Sequence, residues 1–544
     1  MRDAVSSFGF RVSIWAVTLL PAALLAGGAA PSPTPTPTAG PPKASENPPD
    51  VRARMPLRPT PFQPESKFPP PQQSEEEEAK TSNRPGEPDL LHGEPAVLLN
   101  GEPFPEKRPY DPRFPEARRV RYVAADTRGP GDGTPDHPWK DLQDALCHLE
   151  PGDRLVVAAG IYSGAFRIAG ACANGTAEAP IQVFARHAFL KAAGGADVLT
   201  VERAHWQFWE VQIALLDSES AGFVAVGPGA HDVAVDQSHI YEGKGPAVLL
   251  TAGSSRITLS NCHIHQSTGV RIEAGASDIT LVNNHIHHNR SASVTIGGGG
   301  DSRPARNVAI TGNRIHNDKG PALVLSHCEA VTASRNRLSN YRPDEDDGSG
   351  GEAVVVGSGC RGVTFENGSI LEASVAVRVG KPTGSASPPE KIVFHHNYLE
   401  NRLTAESMAV RIDAGRDVRF SNNVINRYAD PFRIAAAGVL GLTIANNLIL
   451  EPKVAFTLPL PQGWALFDYN VFGAAAALPG AVGEKQVGTA WMAAHMPHSR
   501  VVAGADLAGG DLSRVVGFSP VDAGKALDGS AFKGSAPDIG VAER

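Results

Sequence analysis

The sequence is poor in cysteine, in aromatic residues and in positive charge. Among 544 residues there are five Cys, aromatic residues make up 6%, and 50 Lys and Arg are outnumbered by 58 Asp and Glu, for a net charge of −8. Nucleic-acid binding relies on a basic surface, so a nucleic-acid partner is not expected. Five cysteines without a CxxC pair also exclude a zinc ribbon and a small domain held together by disulfides.

Long apolar runs are scarce as well, and the one that approaches the thickness of a bilayer is at the N-terminus. Arg2 and Arg11 precede the apolar run from Val12 to Leu25, which small residues follow. This order is typical of a signal peptide. We predict a signal peptide over residues 1–29, a secreted, periplasmic or cell-surface location, and no membrane span in the mature protein. An uncleaved anchor is the alternative, because the 19 residues from Val12 to Ala30 are just long enough to span.

Export bears on the cysteines, since disulfides form and persist in oxidising compartments. Cys147 and Cys172 are 25 residues apart and form a candidate disulfide. Because the number of cysteines is odd, at least one must stay free.

Proline is concentrated in one stretch. About half of the 45 prolines lie between Pro31 and Pro115, where apolar periodicity is almost absent and one acidic run, Glu75 to Glu78, occurs. Such a segment cannot bury enough apolar surface to offset the entropy that ordering costs. We therefore predict a disordered, proline-rich linker over residues 30–118.

The remainder of the chain carries an internal repeat, apolar-x-apolar-x-x-Asn-x-Ile/Leu, with a period of 22 to 32 residues. The copies are ITLSNCHI from Ile257, ITLVNNHI from Ile279, VAITGNRI from Val308, VTASRNRL from Val331, VTFENGSI from Val363, IVFHHNYL from Ile392, VRFSNNVI from Val418, LTIANNLI from Leu442 and ALFDYNVF from Ala465. Each copy alternates with period two, and a second alternating segment such as GVRIE at Gly269 follows, which indicates strands. No helical period lies between them, so βαβ units and leucine-rich horseshoes are excluded. A parallel β-solenoid remains.

One position of the repeat forms an asparagine column. Its members are Asn284, Asn313, Asn336, Asn397, Asn423, Asn447 and Asn470, with Ser238, Cys262 and Gly368 in the gaps. Asn tolerates the left-handed turn conformation, and its amide can bond to a stacked neighbour. We interpret the column as structural, not catalytic.

These features resemble the right-handed parallel β-helix proteins, a family rich in exported polysaccharide lyases, glycoside hydrolases and uronan epimerases. The segment Tyr122 to Phe166 resembles the entry of lyase-like members, and the tail Ser519 to Glu543 resembles their closing segment. The resemblance implies an all-β, right-handed parallel β-helix over residues 119–473, a capping helix from Trp139 to Leu149, and a closing segment over 474–544. It specifies the fold better than the reaction, because one fold hosts many functions.

Strand alternation directs four arginines out of the core, Arg271, Arg378, Arg411 and Arg433. The last three fall on successive rungs, which are ~4.8 Å apart in a stacked sheet, and would form a cationic stripe. Because its positive charges repel one another, such a stripe requires a polyanion, acidic neighbours or solvent. Asp413 lies on the same face as Arg411. We hypothesise that Arg378 and Arg411 neutralise a uronate carboxylate during β-elimination.

An acidic loop enters the rung before Arg378 and offers oxygen ligands. Asp344, Asp346 and Asp347 are our candidate Ca²⁺ ligands. The alternative is a solvated loop with local salt bridges, since the segment lacks the ligand spacing of an EF-hand.

Histidines cluster at the exit of the Asn turn. The position before the repeat Ile carries His239, His263, His285, Arg314 and Arg337, and the position after it carries Tyr241, His265, His287, His316 and Ser339. Both columns are expected to face outward, where imidazoles could ligate a metal or one, His287, could serve as a general base. Arg314 and Arg337 are candidate substrate-binding residues together with Arg271 and Arg433. A stack of planar side chains without a metal is the alternative.

Familiar catalytic signatures such as GxSxG and HExxH are missing. We predict a monomeric, exported β-helix protein that binds or processes an extended polysaccharide, with lyase-like chemistry on acidic glycans. A non-catalytic carbohydrate-binding or surface-display module is the alternative.

Overall fold

A computed structural model of the protein describes most of the chain after residue 115. The described residues are 116–129, 131–193, 195–216, 218–298, 303–343, 351–381, 387–402, 406–434, 439–458, 464–473, 480–482 and 485–502, with the short pieces 507–508, 511–515, 524–525, 527 and 539. The predicted signal peptide and nearly all of the predicted linker lie outside them. Within the described part of the chain, no helix combines the length and the hydropathy needed to cross a membrane.

Short strands stacked in three parallel sheets make up the described chain. Three consecutive strands, one in each sheet, form a rung. The first sheet contains β1 (Arg119–Val123), β2 (Asp153–Val157), β5 (Ile181–Phe184), β8 (Trp206–Trp209), β11 (His231–Asp236), β14 (Ser255–Ser260), β17 (Ser277–Val282), β20 (Ala305–Thr311), β23 (Cys328–Ser334), β26 (Arg361–Glu366), β29 (Glu390–His395), β32 (Gly415–Ser421), β36 (Leu442–Ala445) and β39 (Trp464–Asp468), with β35 (Val439–Leu440) beside β32.

The second and third sheets follow the same order. The second contains β3 (Gly160–Ser163), β6 (Ala188–Lys191), β9 (Gln212–Ala214), β12 (His239–Tyr241), β15 (His263–His265), β18 (His285–His287), β21 (Arg314–His316), β24 (Arg337–Tyr341), β27 (Ser369–Ala373), β30 (Tyr398–Glu400), β33 (Val424–Asn426), β37 (Leu448–Leu450), β40 (Val471–Gly473) and β43 (Arg500–Val502). The third contains β4 (Phe166–Ile168), β7 (Leu199–Val201), β10 (Phe223–Ala225), β13 (Val248–Leu250), β16 (Val270–Ile272), β19 (Val294–Ile296), β22 (Leu323–Leu325), β25 (Glu352–Gly357), β28 (Val375–Lys381), β31 (Met408–Ile412), β34 (Asp430–Ile434), β38 (Thr457–Leu458), β41 (Gly480–Val482) and β42 (Lys485–Val487).

The core runs along the inside of the stack, because every second strand residue points inward. Ile257 and Leu259 of β14 pair in register with Ile279 and Leu281 of β17, and all four are fully buried. Equivalent apolar residues of successive rungs form one continuous cluster. The predicted parallel β-solenoid is confirmed.

The asparagine column forms a hydrogen-bonded ladder. Asn313 Oδ1 accepts from both the backbone N and the Nδ2 of Asn284, at 2.9 Å each, and Asn313 Nδ2 donates to Asn336 Oδ1 at 3.0 Å. The left-handed conformation lies one residue earlier than expected, at Asn283 (φ 54°) and Gly312 (φ 66°). The preceding residue makes the turn, and this leaves the ladder asparagine free to use its amide for bonding between rungs.

Among the residues that the structure describes, two helices accompany the strands, α1 (Leu142–Cys147) and α2 (Thr489–His495). Helix α1 is shorter than the predicted Trp139–Leu149, because Asp141 caps it by accepting a hydrogen bond from the backbone N of Asp144. The face expected to be buried is buried, including Leu149, which lies beyond the helix. A short antiparallel pair, β44 (Leu507–Ala508) and β45 (Asp511–Val515), follows the stack.

The predicted disulfide between Cys147 and Cys172 is present and ties the last residue of α1 to the loop after β4. The other three cysteines, Cys262, Cys328 and Cys360, are free and buried. Stacking continues past residue 473, because β43 pairs with β40 of the second sheet.

Candidate functional site

Two outward surfaces of the stack bring together the residues singled out in the sequence. We call the first the arginine face: Arg378, Arg411 and Arg433 of the third sheet, with the acids Glu352, Asp413 and Asp430. We call the second the histidine stack: His239, His263 and His285 in one row of the second sheet, and His265, His287 and His316 in the other.

The arginine face has the geometry that strand alternation predicts. Arg378 lies in register with Arg411, and Arg411 with Arg433, on the successive strands β28, β31 and β34. Arg378 Nη1 contacts Glu352 Oε1 at 2.7 Å, and its Nε contacts Asp413 Oδ2 at 2.6 Å. The other oxygen of Asp413 accepts from Arg411 Nε at 2.9 Å. Asp413 therefore bridges two stacked arginines and relieves their mutual repulsion.

The third arginine has a carboxylate of its own. Asp430 Oδ2 accepts from Arg433 Nε and from Thr457 Oγ1, both at 2.9 Å. Exposure of the arginine side chains rises along the row, from 18% at Arg378 to 35% at Arg411 and 47% at Arg433. Arg378 is the least exposed of the three and is held between two carboxylates, whereas Arg411 and Arg433 are accessible to a ligand.

The electrostatics of Arg378 follow from these contacts. Burial lowers the pKa of its guanidinium, but hydrogen bonds to Glu352 and Asp413 outweigh that effect and raise the pKa above its ordinary value. Arg378 therefore stays charged and fixes both carboxylates.

Sequence reasoning missed one buried carboxylate on the second sheet. Glu400, the last residue of β30, is buried and accepts from Arg402 Nε at 2.9 Å and from Asn426 Nδ2 at 3.1 Å. Its position in the repeat could have indicated it, because Glu400 lies in the same row as His287, four rungs further along.

Arg271 does not join the arginine face. It lies in the same row but on β16, and the uncharged residues Thr295, Val324 and Val355 separate it from Arg378. Its own acidic neighbour is Glu273, at 3.5 Å.

The candidate calcium ligands Asp344, Asp346 and Asp347 fall outside the described residues. Their role stays a prediction.

The histidine stack interleaves its two rows. Rings of one row are parallel, as for His263 and His285, whose centroids are 5.0 Å apart at 4°. Across the rows, Nε2 atoms meet in pairs: His239 with His265 at 2.7 Å, His263 with His287 at 2.5 Å, and His285 with His316 at 2.8 Å. The two columns flank the inward repeat isoleucines, and their rings contact one another.

These rings are less exposed than an outward column implies, because His265, His287 and His316 are buried. Burial, and to a smaller extent the neighbouring charges, lowers the pKa of His265 and of His316 to about 3. The same causes lower the pKa of His287 still further. The imidazoles of His265, His287 and His316 are therefore neutral at physiological pH.

Comparison with known proteins agrees with this architecture. Residues 215–370 match the family described as "Right handed beta helix region". The three-sheet stacking extends beyond that segment in both directions. The described part of the chain folds as a right-handed parallel β-helix.

Solved structures of the same fold are similar to this β-helix at low identity. Pectate lyase Pel9A is 14% identical over 79% of this chain and 97% of its own, with a TM-score of 0.41. A GH136 lacto-N-biosidase from Eubacterium ramulus is 12% identical over 67% and 68%, with a TM-score of 0.37. The Streptococcus pneumoniae surface protein and adhesin PfbA is 10% identical over 63% and 94%, with a TM-score of 0.36. No curated protein matches the sequence. These similarities concern the fold and assign no activity.

The β-helix separates residues that the elimination hypothesis had combined. His287 lies on β18 of the second sheet, whereas Arg378 lies on the third sheet, three rungs further along. Three rungs correspond to ~14 Å along the stack. His287 therefore cannot act as a base for chemistry beside Arg378.

Arg314 and Arg337 also belong to the second sheet, where they continue the row of His239, His263 and His285. Burial lowers the pKa of Arg337 to about 10. Both arginines adjoin the histidine stack and are not part of the arginine face.

A further cluster of titratable side chains, His205, His231 and Asp232, lies near the start of β8 and β11. Arg256 donates to both oxygens of Asp232 at 2.8 Å. These hydrogen bonds and the contact with His231 overcome burial and lower the pKa of Asp232 to about 2. The cluster is an ion-pair network built around Arg256.

Proposed function

We propose that this protein is exported and binds an extended polysaccharide along its arginine face. The observation that carries the proposal is the in-register row Arg378, Arg411 and Arg433, in which every arginine contacts a carboxylate on an outward sheet surface. Successive strands repeat this pattern every ~4.8 Å, which suits a linear polymer lying along the stack.

The face offers donors and acceptors together. Arg411 and Arg433 each use Nε for their carboxylate, and a guanidinium carries five N–H donors in a planar fork. Sugar hydroxyls can donate to the carboxylates and accept from the arginines. Three arginines balance the three acids Glu352, Asp413 and Asp430, so recognition by hydrogen bonds is favoured over attraction of a dense polyanion.

Binding is better supported than elimination. β-Elimination requires a base within reach of the reacting carbon, beside a cation that neutralises the carboxylate. Arg378 is already committed to Glu352 and Asp413, and His287 lies on another sheet. We therefore propose a carbohydrate-binding β-helix, with Arg411 and Arg433 as the residues that touch the glycan.

Binding is tested with the purified full chain against alginate, pectate, glycosaminoglycans and neutral glucans, by affinity electrophoresis and calorimetry. We expect at least one polymer to bind and the double variant Arg411→Ala, Arg433→Ala to weaken that binding about 10-fold or more. Arg416→Ala is the matched control, because Arg416 is an exposed arginine on β32, in the first sheet. If no polymer binds, or if both variants bind equally, the proposal is wrong.

A second arm of the experiment separates binding from catalysis. The same polymers are incubated with the protein, with and without Ca²⁺, and ultraviolet absorbance is followed for unsaturated product. We expect none. Accumulation of a double bond would overturn the non-catalytic proposal, and a requirement for Ca²⁺ would support Asp344, Asp346 and Asp347 as ligands.

A further inference from the structure

The histidine stack forms a surface distinct from the arginine face, and the polysaccharide proposal does not use it. Its members come from β12, β15, β18 and β21, whose in-register pairing places His263 between His239 and His285, and His287 between His265 and His316. The repeat therefore converts residues about two dozen positions apart into neighbours.

The contacts between the two rows bring ring nitrogens together in pairs. The Nε2 atoms of His263 and His287 are 2.5 Å apart, and those of His239 and His265 are 2.7 Å apart. Nitrogens this close share a proton in an N–H···N hydrogen bond between two rings. Because Zn–N bonds are ~2.0–2.1 Å long, the paired rings would move slightly apart to hold one ion, which would take the place of the shared proton.

The stack offers enough histidine nitrogens to form a metal centre. His239, His263 and His265 form one triad and His263, His285 and His287 form a second, and within each triad one nitrogen of every ring lies within 4.8 Å of the others. Three protein nitrogens with an open fourth position are a common arrangement for Zn²⁺. The triads share His263, so one tightly held ion per chain is expected.

The ligand type fits the same role. The triads contain only histidine, a ligand set that favours Zn²⁺, Cu²⁺ or Ni²⁺ over the oxygen-seeking Ca²⁺ and Mg²⁺.

Neighbouring side chains outside the two rows contact the rings and orient them, as hydrogen-bond partners do for metal-binding histidines. His287 Nδ1 contacts His288 Nδ1 at 2.6 Å, and Gln266 hydrogen-bonds to His265. His288 and Gln266 in turn line an open groove together with Glu242 and Lys319. The groove therefore reaches the two residues that contact the buried rings of His265 and His287.

We propose that the histidine stack binds a late first-row transition-metal ion, Zn²⁺, Cu²⁺ or Ni²⁺, through the Nε2-bearing rings of His239, His263, His265, His285 and His287. The protein is thus a metal-binding β-helix in addition to any role of its arginine face.

The first test uses the full chain, purified without a polyhistidine tag and stripped with chelator. Zn²⁺ is titrated by calorimetry, and bound metal is quantified after gel filtration. We expect about one tightly bound Zn²⁺ per chain and no competition from excess Ca²⁺. The double variant His263→Gln, His287→Gln should weaken binding about 10-fold or more.

The matched control is His395→Gln, which removes a ring from the contact between His395 and His396 (Nδ1 atoms 2.8 Å apart), outside the stack. It should bind Zn²⁺ as the wild type does. Wild-type protein that retains no more Zn²⁺ than the double variant overturns the proposal and leaves the stack as a hydrogen-bonded array.

A second measurement needs no variant and so does not depend on whether His263→Gln folds. Electron paramagnetic resonance of the Cu²⁺-loaded wild type should show hyperfine coupling to several imidazole nitrogens. A spectrum of oxygen-only coordination would place the copper elsewhere and contradict the assignment.

Discussion

At the scale of single residues, each ladder asparagine forms hydrogen bonds with backbone groups that have no partner within the tight turn. Asn313 is fully buried, accepts from the backbone N of Asn284 and donates to the carbonyl of Leu281, at 2.9 and 3.0 Å. Asn313→Ala leaves these backbone groups buried without a partner, each at a cost of about 1–3 kcal/mol. We expect the free energy of unfolding in urea to fall by about 3 kcal/mol or more.

The control for this substitution is Arg306→Ala, at an exposed position of β20, the strand that precedes Asn313. Its effect should stay within about 0.5 kcal/mol. Equal losses for the two variants would mean that the ladder is not a source of stability.

The burial of His396, whose ring contacts His395, also predicts that the stability of the fold depends on pH. Burial and repulsion from His395 lower the pKa of His396 to about 4, whereas an unfolded histidine titrates near pH 6.5. Between these values the unfolded chain binds the proton and the folded chain does not. The contribution of His396 to stability should therefore fall by about 1.4 kcal/mol per pH unit as pH drops from about 6.5 to about 4.

His396→Asn removes this titration and keeps the left-handed backbone, at φ 55°, that asparagine tolerates. We expect the variant to lose less stability than the wild type between pH 7.5 and pH 4.5, measured by urea denaturation. His187→Asn, at an exposed left-handed histidine (φ 63°), is the control and should follow the wild type. Parallel profiles for wild type and His396→Asn would contradict the explanation.

At the scale of elements, period-two alternation was sufficient to place strands and to direct Arg378 and Arg411 outward. Alternation cannot show what covers an outward side chain, so it gave neither the pairing of Arg378 with Glu352 nor the burial of His287. Both depend on neighbouring loops and rungs, whose lengths vary along the chain. The extent of α1 differed for a local reason: Asp141 takes the N-cap position, so the helix begins at Leu142, three residues after the predicted start.

Helix α1 is short enough that its attachment depends on other elements. The Cys147–Cys172 disulfide closes a loop of 25 residues, and Gln143 exchanges hydrogen bonds with the backbone of Arg167 on β4, at 2.6 and 2.9 Å. A crosslink across such a loop stabilises by about 3 kcal/mol, chiefly by restricting the unfolded chain.

For the variant Cys147→Ala, Cys172→Ala we expect faster hydrogen exchange in α1 and unchanged exchange in β17 and β20, because local unfolding is confined to neighbouring elements. Mass spectrometry of peptides from both regions makes the comparison, with reduced wild type as the control. Protection of α1 that survives both treatments would show that packing of Leu142 and Leu146 suffices without the crosslink.

At the scale of the whole β-helix, each rung contacts only the rungs on either side of it, so stability approximates a sum over rungs and their interfaces. The repeat in the sequence was enough to predict this architecture, since an Asn column makes sense only if the rungs stack. It could not predict the histidine contacts in detail, because those require the register across β12 to β21.

This additivity predicts that one rung can be removed. In the register between β14 and β17, Ile257 pairs with Ile279 and Leu259 with Leu281, a separation of 22 residues. Deleting residues 258–279 joins Ile257 to Thr280 and recreates the native strand, while β12 meets β18 and β13 meets β19 in equivalent positions. We expect a folded protein by circular dichroism, with a urea midpoint modestly below that of the wild type.

Deleting residues 258–278 is the matched control, because it removes one residue fewer and joins Ile257 to Ile279 within the strand. Side chains alternate with a period of two, so a shift of one residue turns either Ile257 or Leu281 away from the core. This shorter deletion should aggregate or unfold at much lower urea than the in-register deletion. Equal stability of the two deletions would mean that the rungs are not locked by the inward alternation of their strands, and the outward rows that form the arginine face and the histidine stack would lose their physical basis.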